Sequence, residues 1–343
     1  MGIPVLDLSE AAVPSDDVVR AWESALLEVG CFSLVNHGIP AAVIEECVAA
    51  SRAFNDQELE RKQRCAMALS LGNKGFIPAD PGPAGTGTRR VVRDYASLDI
   101  GAESDGGPVE SILLGPNLWP ELTGFRDAVE AYYQAVSACA RAVSQMLARV
   151  CGLEPDYLER RSRRGISLLR LLHYPAPAQD LEEPPNGHTD YEWFTLIWHS
   201  GPGLEVYGRD GGVHLVPAAP DQITVLVGDL LELLTGGRIE STLHWVRPRD
   251  PDRHSLTYFY GPDFDEVIAP TAPRRQQAPD GAPGYPELHA GRHLTALRVR
   301  HLPHLRAALH EGTLQLPFPL PDGNPFKAAK VKRLAGSGEG RSQ

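Results

Sequence analysis

From residue 166 onward the chain breaks into short apolar runs: "ISLLRLLHY", "WFTLIW", "GLEVY", "VHLVP", "QITVLVG", "LELLT", "STLHWV" and "HSLTYFY". Gly, Pro, Asn and Asp punctuate them. None is long enough for an ordinary helix, and most are rich in β-branched or aromatic residues. About eight short strands separated by turn signals predict a β-sandwich, barrel or jelly roll. The first half reads differently. Ser15 is a good N-cap, and Val18, Val19, Trp22, Ala25, Leu26 and Val29 follow at helical spacing until Gly30. Pro40 opens a second helix, and an apolar stripe from Phe125 to Val150 marks a long one. "IPVLD" (3–7) and "CFSLVN" (31–36) read as strands, and 285–312 as helical again. The fold class is therefore α+β with a mainly β core.

These textures divide the chain at three places. Residues 1–117 form an N-terminal helix-and-strand region whose Gly/Pro-rich segment, 77–117, has the character of a lid-like binding loop. Residues 118–334 hold the long helix, the β core and a C-terminal helix, and 335–343 read as a disordered tail.

Charge narrows the partners. A formal net charge of −11 with only short basic clusters excludes a basic nucleic-acid face and an anionic membrane as the main partner. The partner is expected to be a small molecule, with the oligomeric state left open. Five cysteines without C-x-x-C spacing read as free thiols in a reducing compartment. With no basic leader and no stretch able to span a bilayer, the expected location is cytoplasmic. Five lysines against 28 arginines suggest a GC-rich bacterial coding bias.

The chemistry centres on "PPNGHTDYEWFTLIW" (184–198). In an extended strand, residues i and i+2 share a face, so His188 and Asp190 converge there while Thr189 turns away. Alone, that pair is half a metal site or an ion pair at a strand mouth. His244 in "GGRIESTLHWVRP" is the third candidate, placed at the end of a hairpin turning at Gly236-Gly237. Arg253 and Ser255 in "PDRHSLTYFY" again share one strand face. Two histidines and a carboxylate suit non-haem Fe(II), leaving open positions for substrate and O2. An arginine fork with an adjacent hydroxyl suits a carboxylate, such as that of a 2-oxo acid co-substrate.

In that order the motifs resemble the isopenicillin N synthase-like branch of the Fe(II)/2-oxoglutarate-dependent oxygenases. "LLEVGCFSLVNHGIP", "LRLLHYPAP", "GHTDYEWFTLIW", "LVGDLLELLTGGRIESTLHWV" and "RHSLTYFYGPDFDEVI" carry the resemblance. It implies a double-stranded β-helix (jelly roll) with supporting helices, and Fe(II) held by His188, Asp190 and His244. It also implies 2-oxoglutarate held by Arg253, Ser255 and Tyr174, with O2 as the other co-substrate. The implied reaction is dioxygenase oxidation of an unactivated C–H bond (hydroxylation, desaturation or ring formation), fitting bacterial specialised metabolism such as antibiotic biosynthesis. Asp190 argues against halogenation, since related halogenases replace the carboxylate. One position departs: Leu172 stands where many plant members carry an asparagine.

Two other readings accompany this one. Arg253 and Ser255 could bind the main substrate's carboxylate in an oxidase independent of 2-oxoglutarate, or the fold could be a catalytically silent binding module. Candidate substrate contacts are Tyr191 and Trp193 behind the H-x-D, Arg93 and Tyr95 in the insertion, and Phe259, which shares the face of Arg253. His173 and His254 are expected to face away from the site, and His199 and His214 to lie at the surface.

Overall fold

The computed structural model describes residues 2–70, 72–79, 94–104, 112–176, 187–271, 285–320 and Phe326. Arg93, most of the 77–117 insertion and the 335–343 tail lie outside the described residues.

Alternating apolar residues build thirteen strands among the described residues. The N-terminal part supplies β1 (Val5–Asp7), β2 (Cys31–Val35), β3 (Gly75–Ile77) and β4 (Ala96–Gly101). The rest supplies β5 (Leu168–Tyr174), β6 (Phe194–His199), β7 (Leu204–Tyr207), β8 (Val213–Leu215) and β9 (Ile223–Val227). After these come β10 (His244–Val246), β11 (Arg253–Tyr260), β12 (Val267–Ile268) and β13 (Leu288–His289). Eight strands form the major sheet in the order β1-β2-β9-β6-β11-β5-β4-β3, and a smaller sheet runs β10-β7-β8. Only the β1–β2 pair is parallel within the major sheet. Strands from the first hundred residues thus complete the sheet that carries the H-x-D and R-x-S segments.

Helices α1 (Asp16–Glu28), α2 (Ala41–Asn55) and α4 (Phe125–Val150) cover the outer face of the major sheet, with the short α3 (Leu59–Gln63) between them. Ser15 caps α1 by accepting the Val18 N–H, as the sequence predicts. In α4, Phe125, Val129, Tyr132, Val136, Ala140, Val143 and Leu147 are all buried, one stripe at 3.6-residue period. They pack on Leu171, Leu256 and Tyr258, the outward residues of β5 and β11, in the principal core. A second, smaller core of Ile197, Leu204, Val206, Val216 and Leu226 lies between the two sheets. Two stacked sheets enclosing their own core, with helices on one side, make a jelly roll. Helices α6 (Ala290–His301) and α7 (Pro303–His310) finish the fold, matching the helical reading of 285–312.

Expectations fail at two places in the chain. "LELLT" is not a strand: α5 (Asp229–Leu234) occupies it. A five-residue apolar run has no period of its own, and Gly228 forces the turn. A Cβ at Gly228 would stand 2.1 Å from the Glu192 carbonyl, so the chain must cross there without a side chain. Gly236 and Gly237, at φ +60° and +82°, terminate this helix and do not close a hairpin. The second failure is His199, expected at the surface. It is buried, and its Nδ1 donates to Gly201 O at 2.9 Å.

Candidate metal centre and co-substrate pocket

His188 and His244 are 56 positions apart, and the backbone joins them directly. His188 N–H donates to His244 O at 3.0 Å and His244 N–H to His188 O at 2.9 Å, an isolated antiparallel bridge. A reciprocal pair of this kind places two side chains on one face. Asp190, two residues on, joins them there. Its carbonyl accepts the Asp229 N–H at 2.8 Å, so the start of α5 fixes its backbone.

Nε2 of His188 and Nε2 of His244 each lie 3.7 Å from Asp190 Oδ1, and all three donor atoms fall within 4.8 Å of one another. At 3.7 Å neither histidine hydrogen-bonds that oxygen. The atoms surround a common point without closing on each other. Asp190 and His244 are also braced from behind. Thr195 Oγ1 donates to Asp190 Oδ2 at 2.5 Å, leaving Oδ1 toward the histidines. His244 Nδ1 lies 2.9 Å from Thr242 O, which can only accept; Nδ1 therefore carries the proton and Nε2 the lone pair. Asp190 and His244 are buried, whereas His188 is 45% exposed, so the cluster sits at a mouth. Two imidazole nitrogens and one carboxylate oxygen, held on one side with access on the other, are a donor set that fits Fe(II).

The cluster opens into a cavity of about 310 Å³ between the two sheets. Period-2 alternation brings Arg253, Ser255, Thr257 and Phe259 of β11 to its wall, beside Arg170, Leu172 and Tyr174 of β5. Arg253 is only 2% exposed. Its Nε donates to Gly201 O at 3.0 Å and its guanidinium lies 5.1 Å from the Tyr174 ring centroid. Its Nη1 is buried with no hydrogen-bond partner among the described residues. A buried guanidinium N–H left unmatched is costly unless an anion completes it. A co-substrate carboxylate would complete it. Ser255 is less ready: its Oγ donates to Trp198 O at 3.0 Å, so its one proton is used within the sheet. Leu172 lies between Ser255 and Ser97 in register and presents an apolar side chain to the cavity.

The substrate candidates divide. Tyr191, Tyr95 and Phe259 line the cavity. Trp193 does not: it is fully buried in the principal core, with Nε1 donating to Ser162 Oγ at 3.2 Å. In the bend before β6, Trp193 turns to the side opposite Glu192, and Glu192 reaches the cavity instead. Burial and the nearby Asp190 push the Glu192 carboxyl up to about 7. Burial, reinforced by Arg253, pushes the His199 imidazole down to about 4. Sequence reasoning passed over Arg170, Asp99, Glu192 and Arg298. Arg170 carried a usable signal, a charge inside the otherwise apolar "LLRLLHY" on the face of Leu172 and Tyr174.

Family comparisons fit this geometry. Residues 3–122 match the model of the non-haem dioxygenase N-terminal region named for morphine synthesis, and 165–262 match that of the 2OG-Fe(II) oxygenase superfamily. The chain is 31% identical over 286 residues to the proline hydroxylase buaE of Petromyces alliaceus, covering 76% of this chain and 86% of that one. The chain belongs to the 2OG-Fe(II) oxygenase superfamily. It is 30% identical over 280 residues to an oxoglutarate-dependent flavonoid 7-O-demethylase of Ocimum basilicum, covering 79% of this chain and 71% of the relative. Among solved structures, a full-length Neurospora crassa protein in complex with alpha-KG superposes with a TM-score of 0.75 at 22% identity, over 88% of this chain and 96% of that one. A 2OG-Fe(II) oxygenase family protein of Caulobacter crescentus gives a TM-score of 0.73 at 25% identity, over 87% and 98%.

As a 2OG-Fe(II) oxygenase, the protein is a 2-oxoglutarate-dependent dioxygenase using Fe(II), 2-oxoglutarate and O2. Among the described residues no helix is long and apolar enough to cross a membrane.

Proposed function

We propose that His188, Asp190 and His244 hold the Fe(II), and that Arg253, with Tyr174 beneath it and Ser255 beside it, holds 2-oxoglutarate. In this reading the enzyme belongs to the isopenicillin N synthase-like branch and oxidises an unactivated C–H bond of a small molecule. The outcome is hydroxylation, desaturation or ring formation, in bacterial specialised metabolism and in the cytoplasm. The names of similar proteins support the substrate class: a proline hydroxylase, a homoarginine-6-hydroxylase and a flavonoid demethylase all act on small molecules.

The observation that carries the reading is that His188, Asp190 and His244 line one cavity with Arg253, whose buried Nη1 is unmatched among the described residues. When bound, Fe(II) supplies the O2 activation that couples decarboxylation of 2-oxoglutarate to oxidation of the substrate. The chain's own residues do the rest. Thr195 orients the Asp190 carboxylate, Thr242 O sets the His244 tautomer, and Gly201 O aims the Arg253 guanidinium. Ile197, Leu204 and Val246 give the co-substrate end an apolar wall that excludes water.

Anaerobic titration of the apoprotein with Fe(II) and then 2-oxoglutarate tests the assignment. The expected result is one iron per chain and a weak visible charge-transfer band on adding 2-oxoglutarate. Iron binding that survives Asp190→Ala and His244→Ala together would refute the ligand set.

A further inference from the structure

Farther along the same cavity wall from Arg253, three segments meet in a second charged cluster. Asp99 of β4 is wholly buried. Arg170 of β5 grips it with two bonds, Nε to Oδ1 and Nη2 to Oδ2, both 2.7 Å. Arg298 of α6 adds Nη1 to Oδ2 at 3.1 Å. Both arginines line the cavity, their side chains 21% and 14% exposed. The Arg170 guanidinium also lies 5.3 Å from the Phe259 ring centroid, so the ring fixes its plane.

Two guanidiniums therefore share one carboxylate. Asp99 occupies Nε and Nη2 of Arg170 and Nη1 of Arg298. Nη1 of Arg170, and Nε and Nη2 of Arg298, make no hydrogen bond among the described residues. Glu192, also on the cavity wall, bonds neither arginine; its Oε2 accepts the Tyr191 N–H at 3.1 Å. Donors are thus left over on a wall of the cavity that also holds the metal-ligand cluster. Arg253 is already assigned to the co-substrate, so this pair is a second anion site.

We propose that Arg298 and Arg170, held by Asp99, bind a carboxylate of the main substrate and set its specificity, an inference that rests on the metal-centre reading above. The cluster is built for that ligand: planar forks match a carboxylate, and Asp99 holds both of them in place before the substrate arrives. Leu297 of α6, Leu302 at the junction of α6 and α7, and Tyr191 form the wall beside it, suited to an apolar body behind the charged group.

The test uses the Fe(II)-loaded enzyme and succinate release. Probes are hexanoate, phenylacetate, indole-3-acetate, N-acetyl-L-proline and L-proline, each beside its primary amide. Carboxylates are expected to stimulate turnover and the amides not. Arg298→Met should lower kcat/KM for the best carboxylate by about a hundredfold, and Arg298→Lys by less. Arg298→Met leaves Asp99 paired with Arg170, so the fold is retained, as its thermal midpoint will report. Amides as effective as acids, no response to any of the carboxylates, or an Arg298→Met effect within twofold would each overturn the proposal. The charge-transfer band with 2-oxoglutarate separates the two readings. Its absence from the wild type indicts the metal centre, whereas an intact band without carboxylate preference indicts this site alone.

Discussion

Two His/Asp/His clusters stand out among the described residues, on different strands of the fold. One is His188, Asp190 and His244 at the cavity; the other is His173, Asp252 and His254 on the outer face, against α2. Both obey the same spacing rule, since D-x-H at 252–254 converges as H-x-D at 188–190 does. Composition and spacing do not separate them; geometry does. On the outer face, His173 Nε2 and His254 Nε2 each lie 3.0 Å from Asp252 Oδ1, and the rings stack at 4.6 Å and 19°. These groups satisfy one another. At the cavity the distances to the shared oxygen are 3.7 Å and the rings tilt by 48°. Burial differs as well: the Asp252 side chain is 61% exposed and the Asp190 side chain 5%. A carboxylate in water needs no metal, whereas a buried one held off its neighbouring histidines is ready for one.

The largest expected effect breaks the comparison outright. Asp190→Ala should abolish succinate release and lower iron affinity by more than about a hundredfold, since even outer-shell partners cost about 10–100-fold. Asp252→Ala should leave both within about twofold. Equal losses in the two variants, read by metal analysis and turnover, would mean that the outer cluster binds the working metal.

Next come the two halves of the co-substrate grip. Arg253→Leu should raise the KM for 2-oxoglutarate by about a hundredfold or more, because it removes a buried charged partner worth about 2–5 kcal/mol. Ser255→Ala should raise it only a few-fold, about 0.5–1.5 kcal/mol, since its proton already serves Trp198 O. A reversed order would show that Ser255 turns toward the ligand and carries it. Smaller again is Thr195→Val, which removes the hydroxyl behind Asp190 and should weaken iron binding by about tenfold. An iron titration of Asp190-intact protein reads that effect directly.

What could be read from sequence follows the reach of each physical rule. Period 2 placed Arg253, Ser255 and Phe259 on one face of β11 and sent His254 to the other, because alternation is local and the strand is regular. The α4 stripe was legible for the same reason at period 3.6. "LELLT" was not, since so short an apolar run has no period and its helix depends on Gly228 crossing Glu192. Trp193 was a candidate only because it follows the H-x-D; period 2 carried on from Asp190 would have given the cavity to Glu192 and the core to Trp193, as found. The Asp99–Arg170–Arg298 cluster joins three distant segments and leaves only one local trace, the arginine inside an apolar strand. The outer cluster's self-satisfaction is a matter of ångströms, which spacing does not encode.

The smallest effect sharpens the comparison from the outer side, through pH. Burial, with a contribution from His173, pushes His254 from the ordinary 6.5 down to about 4. Burial also lowers His173, against the pull of Asp252. Arg52, 3.8 Å from Asp252, adds positive charge to the same corner. Between about 4 and 6.5 the unfolded chain therefore binds a proton at His254 that the folded chain does not. Stability from this residue is fully present above 6.5 and is lost as pH falls through that window. His254→Phe keeps a ring beside His173 and removes the titration. The wild type should lose ground to this variant by about 2 kcal/mol between neutral pH and about pH 5, measured by denaturant unfolding. An unchanged gap would mean that His254 stays protonated in the fold as an ion pair with Asp252. The outer cluster would then be held by charge, and its contrast with the open donors at the cavity would rest on distance alone.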